Sequence, residues 1–464
     1  MIRIVITFIL SFFLFVTNIF AQDYSGDWYG KIAVQSQELR INFHITKTDS
    51  IYVTKMDSPD QNAFNIATDK TSVDEKGITI SIKSMMLSFT GKLQKDTIKG
   101  TFSQSGMDLP LNLSHQKIAK TFEKKKPQEP LKPYPYLSEE ISFTNKQANN
   151  ITLSGTLTLP KDKKNPAVAV LITGSGPQNR NEEILGHKPF LVIADYLTRN
   201  GIAVLRFDDR GVGKSEGTQK DATSADFATD VEAAINYLKT RKDIDCTKIG
   251  LIGHSEGGFI APIIAAKNKD VKFVILLAGT GVDGAEVLIS QSKRAMELAA
   301  TPKEHIDYNE QMSKELYALV KTELNQKKLQ KTLTKFLKTQ RTKAPLSIAT
   351  QLTDTAIKSQ VETISSPWFT YFIRTNPQQF LKHVTCPVLV LNGAKDFQVI
   401  ADLNLNGIKK ALNQNNEVTI KKLEGLNHLF QNCKTGAFNE YAQIDETFSP
   451  KVLKIMVDWI NKRF

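Results

Sequence analysis

Gly253-His254-Ser255-Glu256-Gly257 stands between an apolar run, Ile249 to Ile252, and an Ala-rich apolar run that reaches Ala266. The pattern fits Gly-x-Ser-x-Gly on a sharp turn from strand to helix. Such a turn strains the serine's backbone. Its glycines are needed because a Cβ there would collide with neighbouring elements. The hydroxyl is raised above the sheet, at a helix N-terminus. Five such residues alone are common in turns. The strand before and the helix after make Ser255 a candidate nucleophile.

A serine hydroxyl needs a base, and the base needs an orienting acid. In a sheet of alternating strands and helices both follow the serine, acid first, at the C-terminal ends of strands. Asp396 follows the run "PVLVLNG", and His428 follows "VTIKKLEG". The order Ser255, Asp396, His428 therefore predicts nucleophile, acid and base. Asp402 is a weaker substitute for the acid, because it lies within a predicted helix. Other histidines fit worse. His44 and His115 lie in an N-terminal β region, His187 opens a helix, His305 lies in an insertion and His383 precedes the Cys386 strand. His254, inside the turn, is expected to pack there or to face solvent.

Acyl transfer also needs donors for a developing oxyanion. The backbone N–H of Glu256 is one candidate. The loop Gly174-Ser175-Gly176-Pro177-Gln178 offers Ser175 first and Gly176 second, since Pro177 has no N–H. In "FDDRG", Asp208, Asp209 and Arg210 are expected to form structural ion pairs that support this loop, with Arg180 as a partner. Trp368, Phe369, Tyr371 and Phe372 in "SPWFTYFIRTNP" are candidates to line an acyl or aromatic pocket, or to form the core of a helical subdomain.

Two rival motifs fail. "GVGKS" lacks the glycine that a phosphate-binding loop places five positions before Gly213; Asp208 stands there. Gly279-Thr280-Gly281-Val282-Asp283-Gly284 matches Gly-x-Gly-x-x-Gly, but the strand that a dinucleotide fold needs next is missing. That segment is expected to be a hinge into the insertion. No His, Cys and Asp grouping has metal-ligand spacing.

The elements that must position these residues follow from the apolar pattern. Residues 22–118 alternate apolar with polar in short runs such as "ELRINFHIT" and "LSFTGKLQ", which predicts a small all-β barrel or sandwich. Residues 119–138, with Pro127, Pro130, Pro133 and Pro135, read as a semi-rigid linker. Residues 139–464 alternate fully apolar strands with amphipathic helices, which predicts an α/β fold with a mostly parallel sheet covered on both faces. The alternation stops over about 281–384, where the period is helical and the residues polar. Such a long insertion reads as a lid.

The whole chain sets outer bounds. Its 464 residues are too many for one ordinary domain, and 41% hydrophobic with 23% charged residues is globular. The net charge of +12 comes from scattered lysines without interleaved aromatics, so a nucleic-acid partner is not expected. Residues 1–21 carry Arg3, a short apolar stretch and Ala21, as in a cleaved secretory signal. An exported, periplasmic or extracellular protein with no stable membrane insertion after cleavage is expected. Three cysteines, Cys246, Cys386 and Cys433, do not make a disulfide framework.

"GSGPQNRNEE", "VLRFDDRGVGKSEG", "IGLIGHSEGG", "VLVLNGAKDFQV" and "EGLNHLFQ" together resemble the α/β-hydrolase superfamily. The nearest branch is that of secreted bacterial carboxylesterases and serine-aminopeptidase-like hydrolases. The resemblance covers about 139–464 and implies a triad of Ser255, His428 and Asp396 without a cofactor. The leading β region resembles the β-rich segment of exported Bacteroidetes-type hydrolases, and no function comes with that likeness. The chain departs at Thr173, where many relatives have histidine. The expected function is hydrolysis of a small carboxylic ester through an acyl-enzyme. The alternatives are an aminopeptidase or dipeptidyl-type peptidase on the same machinery, and an envelope- or glycan-binding module with secondary hydrolase activity. The sequence does not set the oligomeric state.

Overall fold

The computed structural model describes residues 23–34, 37–49, 51–61, 63–82, 85, 87–104, 107–118 and 126–464. The expected signal segment, 1–21, lies outside the described residues, as do 119–125 of the expected linker. The described residues fall into two compact units, one ending at 118 and one starting at 126.

The first unit is all β. Its strands are β1 Gly26–Val34, β2 Gln37–Thr48, β3 Ile51–Ser58, β4 Ala63–Ala67, β5 Lys70–Asp74, β6 Gly77–Ile82, β7 Leu87–Gln94, β8 Thr97–Gln104 and β9 Met107–Ser114. They form one nine-stranded antiparallel sheet in the order β4-β3-β2-β1-β9-β8-β7-β6-β5. The period of two puts Trp28, Phe43, Phe89 and Phe102 on one buried face. The sheet curls until its far strands meet: Thr71 Oγ1 on β5 donates to Thr54 Oγ1 on β3 at 2.8 Å. A single curled sheet therefore takes the place of two stacked ones. Gly91 and Gly100 leave room for the Phe89 ring, whose Cζ would stand 2.7 Å from a Cβ at either position.

The second unit is an α/β sheet. Its strands are β10 Leu137–Asn145, β11 Ile151–Leu159, β12 Val168–Ile172, β13 Ala203–Phe207, β14 Ile249–His254, β15 Val271–Leu277, β16 Val388–Gly393 and β17 Val418–Leu423. The order is β10-β11-β13-β12-β14-β15-β16-β17. β10 and β11 pair antiparallel; from β13 onward every pairing is parallel. Helices α1 Pro189–Arg199, α2 Ser224–Leu238 and α3 Glu256–Ala265 connect the first parallel strands. The insertion between β15 and β16 holds α4 Gly284–Leu298, α5 Lys303–Thr322, α6 Gln326–Lys343, α7 Leu346–Ala349, α8 Asp354–Ile364, α9 Pro367–Arg374 and α10 Gln378–Leu381. α11 Ala401–Ala411, α12 Phe438–Tyr441 and α13 Pro450–Asn461 complete the chain.

Two apolar layers sandwich the sheet. Val231 of α2, Phe259 of α3 and Ile408 of α11 pack on one face. Phe190 and Ile193 of α1 and Met456 and Trp459 of α13 pack on the other. This is why β12 "VAVLI" is buried at every position. The insertion has a core of its own around Leu316, Leu329, Leu333, Leu337 and Ile373. Among the described residues, no helix is long and apolar enough to cross a membrane.

Two expectations change. The described part of the linker is tied into the second unit. Lys126 Nζ donates to the carbonyls of Ala442 and Ile444, and Gln128 Oε1 accepts from the amides of Thr447 and Phe448. Gln128 thereby satisfies two backbone N–H groups of the second unit. The segment at Gly281 is also no free hinge. Its N–H donates to Asn404 Oδ1 at 2.9 Å, and a Cβ there would stand 2.0 Å from the Asn404 carbonyl oxygen. Contact with α11 at that distance needs glycine.

Candidate active site

Ser255 caps the N-terminus of α3, directly after β14. Its φ of 53° and ψ of −113° are rarely tolerated by a residue with a side chain. The Ser255 amide donates to the Leu277 carbonyl on β15, and the Ser255 carbonyl accepts from Gly258 N–H, both at 2.9 Å. The glycines explain the tightness. A Cβ on Gly253 would meet the Gly257 carbonyl oxygen at 2.0 Å, and one on Gly257 would meet the Ile172 carbonyl oxygen at 2.1 Å. β12, β14 and α3 thus converge on the turn. Among the described residues the Ser255 hydroxyl makes no hydrogen bond. Contacts of this kind commonly tighten only in the reacting complex.

Asp396 and His428 stand on the loops after β16 and β17 and are both buried. Asp396 Oδ2 lies 2.8 Å from His428 Nδ1. Asp396 Oδ1 accepts from the amides of Gln398 and Val399 at 2.8 and 2.9 Å, which fixes the carboxylate plane. The two loops are stitched together by Lys395 N–H donating to the Leu426 carbonyl at 2.9 Å. Asn427 Oδ1 accepts from Leu429 and Gln431 and shapes the tight turn around His428. Asp402 is not part of this group; it pairs with Lys422 at 2.9 Å on the surface.

His254 does more than pack. Its Nδ1 lies 2.9 Å from Glu182 Oε1, and its Nε2 lies 3.0 Å from the His428 carbonyl oxygen. The His254 and His428 rings stand 4.8 Å apart between centroids. Ser255 is therefore one residue from a side chain that touches the His428 loop.

The loop after β12 approaches the turn from the other side. A Cβ on Gly174 would lie 3.3 Å from Ser255 Cβ. Gly174 N–H is already used, donating to Glu182 Oε1 at 2.7 Å. The amides of Ser175 and Gly176 have no acceptor among the described residues. Glu256 N–H, in the first helical position, has none within its helix.

Charges behind the loop are arranged in detail. Arg180 pairs with Asp208 and Glu140, and Arg210 pairs with Asp230. Burial pushes the Asp208 carboxyl up, but the Arg180 guanidinium and its own amide contacts hold it below the usual range. Asp209 differs from the expected ion-pair role: among the described residues it has no basic partner. It accepts from Thr173 Oγ1 at 2.7 Å and from Gln178 N–H at 3.0 Å. Burial, with Glu256 and Glu182 nearby, pushes its pKa up to about 8. Thr173, the departure from the commoner pattern, is thus the post that ties the loop to Asp209. Glu256 is buried too, and burial raises its pKa. Its Oε1 accepts from Ser224 Oγ at 2.5 Å and from Trp368 Nε1 at 2.8 Å. Thr173, Gly174, Gly176, Asp209 and Glu256 line a cavity of about 20 Å³, room for about one water molecule.

The four lid aromatics of α9 separate. Trp368 reaches Glu256. Phe369 turns to Tyr317 of the lid core, with ring centroids 6.0 Å apart. Tyr371 and Phe372 meet Phe259 of α3 edge-on at 6.3 and 6.0 Å. None of the four lines that cavity. The sequence offered the carboxylates of "RNEE", Glu182 among them, only as candidates for a substrate amino group; it did not place Glu182 beside His254. Among the described residues, no three His, Cys, Asp or Glu side chains are grouped to hold a metal ion.

The sequence profile of the serine aminopeptidase S33 family (Hydrolase_4) matches residues 188–432, more than half of the chain. The chain belongs to that family. It is an α/β hydrolase, with the fold that the five motifs implied. The matched span holds Ser255, Asp396 and His428 and starts after the loop 174–178. The esterase EstD of Thermotoga maritima is 30% identical over 175 residues, covering 37% of this chain and 42% of that protein. The uncharacterized protein YfhR of Escherichia coli K12 is 30% identical over 148 residues, covering 31% of this chain and 48% of that protein. The chain thus spans less than half the length of these curated relatives. Among solved structures, the Pyrococcus furiosus esterase PF2001 is similar at 14% identity and a TM-score of 0.43, over 70% of this chain and 91% of that one. The hypothetical protein PA2218 from Pseudomonas aeruginosa gives 16% identity and a TM-score of 0.45, over 75% of this chain and 99% of that one.

Proposed function

We propose that the protein is an exported serine hydrolase that cleaves small carboxylic esters through an acyl-enzyme. The observation that carries this reading is the buried Asp396–His428 contact of 2.8 Å on strand-end loops beside the strained turn of Ser255. In it, His428 Nε2 takes the proton of Ser255 as the hydroxyl oxygen attacks the ester carbonyl. Asp396 keeps the Nδ1–H tautomer and stabilises the imidazolium. Amides of Glu256 and of Ser175 or Gly176 receive the oxyanion. His428 then returns the proton to the leaving alkoxide. Water repeats the sequence on the acyl-serine and regenerates Ser255. The likeness to EstD, named an esterase, supports the ester over other acyl substrates. Export rests on residues 1–21 alone.

The test is a panel of p-nitrophenyl esters from acetate to long chains, run beside aminoacyl and dipeptidyl p-nitroanilides. Ester turnover that disappears in Ser255→Ala is expected. Turnover that survives Ser255→Ala would remove the serine from its role.

One observation favours a second reading. Glu256 and Asp209, two carboxyl groups without a basic partner among the described residues, line the cavity next to the turn. Such groups suit a substrate amino group, as in an aminopeptidase. Anilide turnover without ester preference would select that reading.

A further inference from the structure

Three loops must keep register for the proposed chemistry. They are the oxyanion loop after β12, the turn at Ser255 and the His428 loop after β17. Two buried side chains join all three. Glu182 Oε1 receives Gly174 N–H at 2.7 Å and faces His254 Nδ1 at 2.9 Å. His254 Nε2 reaches the His428 carbonyl oxygen at 3.0 Å. We propose that Glu182 and His254 are a positioning pair that holds the oxyanion loop and the general-base loop against the nucleophile turn.

The protons assign the states. A carbonyl oxygen only accepts, so His254 Nε2 carries a hydrogen. A carboxylate oxygen likewise only accepts, so Nδ1 facing Glu182 carries one too, and the contact is an imidazolium–carboxylate pair. Burial alone would push the His254 pKa down; the Glu182 carboxylate, the His428 carbonyl and the Asp396 charge together outweigh it and hold the value above the usual histidine range.

The pair is anchored at both ends. His254 is the last residue of β14, in parallel register with Leu277 of β15, so its backbone belongs to the sheet. Glu182 has a φ of 51°, held by its own N–H donating to the Asn179 carbonyl at 2.8 Å. The His254 ring also stands edge-on to Phe430, 6.4 Å between centroids, on the same loop as His428. The His254 and Glu182 side chains are 8% and 5% exposed, so water competes little for these bonds. Neither side chain is placed to touch the reacting atoms. They act through Gly174 and His428.

The proposal rests on the serine-hydrolase reading, and the experiment separates the two. Steady-state rates are measured for wild type, Glu182→Ala, His254→Ala and Glu182→Gln, each divided by the number of sites titrated with a fluorophosphonate. Displacing a reacting group by about 1 Å can cost ~100-fold. The two alanine variants are expected to lose 10- to 100-fold in kcat, with KM within about threefold. The double alanine variant should lose no more than the worse single one, because both break one linkage. Glu182→Gln keeps one acceptor oxygen for both Gly174 N–H and His254 Nδ1–H, so it should recover to within about threefold of wild type. A purely structural role would lower the titrated fraction and leave kcat per site unchanged, and that result overturns the proposal. If Glu182→Ala does not fold, His254→Gln carries the test. Its amide replaces Nε2 and drops the Glu182 contact, and kcat per site within twofold of wild type would again overturn the proposal.

A second readout needs no turnover. The downfield proton resonance of His428 Nδ1–H should move in His254→Ala and stay in place in Glu182→Gln. An unmoved resonance in His254→Ala counts against the positioning role even if no ester is cleaved. Absence of all ester and anilide turnover in wild type would be a failure of the serine-hydrolase reading instead.

Discussion

Trp368 Nε1 donates to Glu256 Oε1 at 2.8 Å, so a helix of the insertion grips the side chain next to the candidate nucleophile. Glu256 has one other donor at that oxygen, Ser224 Oγ. Its backbone N–H is a candidate oxyanion donor, so the seat of α9 bears on the geometry of the turn. Trp368→Phe keeps the stacking on Phe372, 5.7 Å between centroids, and removes the donor. Depriving a buried polar group of a partner costs about 1–3 kcal/mol. Denaturant unfolding should show a loss in that range. Ester turnover should fall roughly tenfold in kcat/KM, since ~1.4 kcal/mol at the transition state is a factor of ten. An unchanged midpoint with unchanged kinetics would make the contact inconsequential.

Asp396→Asn tests the acid without disturbing its loop. The Asn oxygen can still accept from the amides of Gln398 and Val399, which now bind Asp396 Oδ1. The amide nitrogen then faces His428 Nδ1 and forces the tautomer with its hydrogen on Nε2. That nitrogen can no longer take the proton of Ser255. A loss of about 10⁴ in kcat is expected, with an unchanged circular dichroism spectrum. Asp402→Asn is the matched control. Asp402 pairs with Lys422 on the surface, and its loss should leave kcat within about twofold.

The parts that were legible in the sequence are local. Apolar runs placed β12, β14 and β16, and the β-branched run "VTIKKL" placed β17; with them came the strand ends where Ser255, Asp396 and His428 stand. Parts that depend on distant segments meeting were not legible. Glu182 is 72 residues from His254, and His254 is 174 from His428, so no spacing announces their contact. The curl of the first sheet brings Thr71 on its edge strand β5 to Thr54 on β3, which lies beside the opposite edge strand. The four aromatics of α9 share one amphipathic period, which does not tell a pocket wall from a lid core. Only Trp368 carries a polar N–H, and it is the one that finds a partner beside Ser255.

Asp209 should leave a mark on the pH dependence of stability. Its pKa rises from 3.8 in the unfolded chain to about 8 in the folded protein, by burial and by nearby Glu256 and Glu182. Between those values the folded state holds a proton that the unfolded state has released. Stability therefore falls as pH rises through that window. The contribution is fully present below the unfolded value and gone above the folded one. Asp209→Asn has no such proton. Its stability relative to wild type should improve steadily from pH 5 to pH 8, at about 1.4 kcal/mol per pH unit or roughly 4 kcal/mol over the window, and level off above. Thermal melts of both proteins across that range measure it. Parallel curves would show that Asp209 ionises inside the fold as it does outside.

The glycines around Ser255 set the last expectation. A Cβ on Gly257 would stand 2.1 Å from the Ile172 carbonyl oxygen and 2.8 Å from that of Thr173. Both are backbone atoms of β12 and the loop after it, so no side chain can swing away. Overpacking of a rigid core costs about 1–3 kcal/mol and more where backbone must shift. Gly257→Ala should therefore lose at least about 3 kcal/mol or fail to accumulate as folded protein. Gly176 makes the contrast. Its φ is 88°, and nothing lies within 4 Å of a Cβ there. Gly176→Ala meets only backbone strain, about 1–3 kcal/mol, which the loop can relieve by turning. It should fold and melt at a modestly lower temperature. Ester turnover should drop, because relief moves the amides of Ser175 and Gly176. Equal melting temperatures for the two variants would show that the turn at Ser255 tolerates a separation of β12 from α3, which contacts of this length forbid.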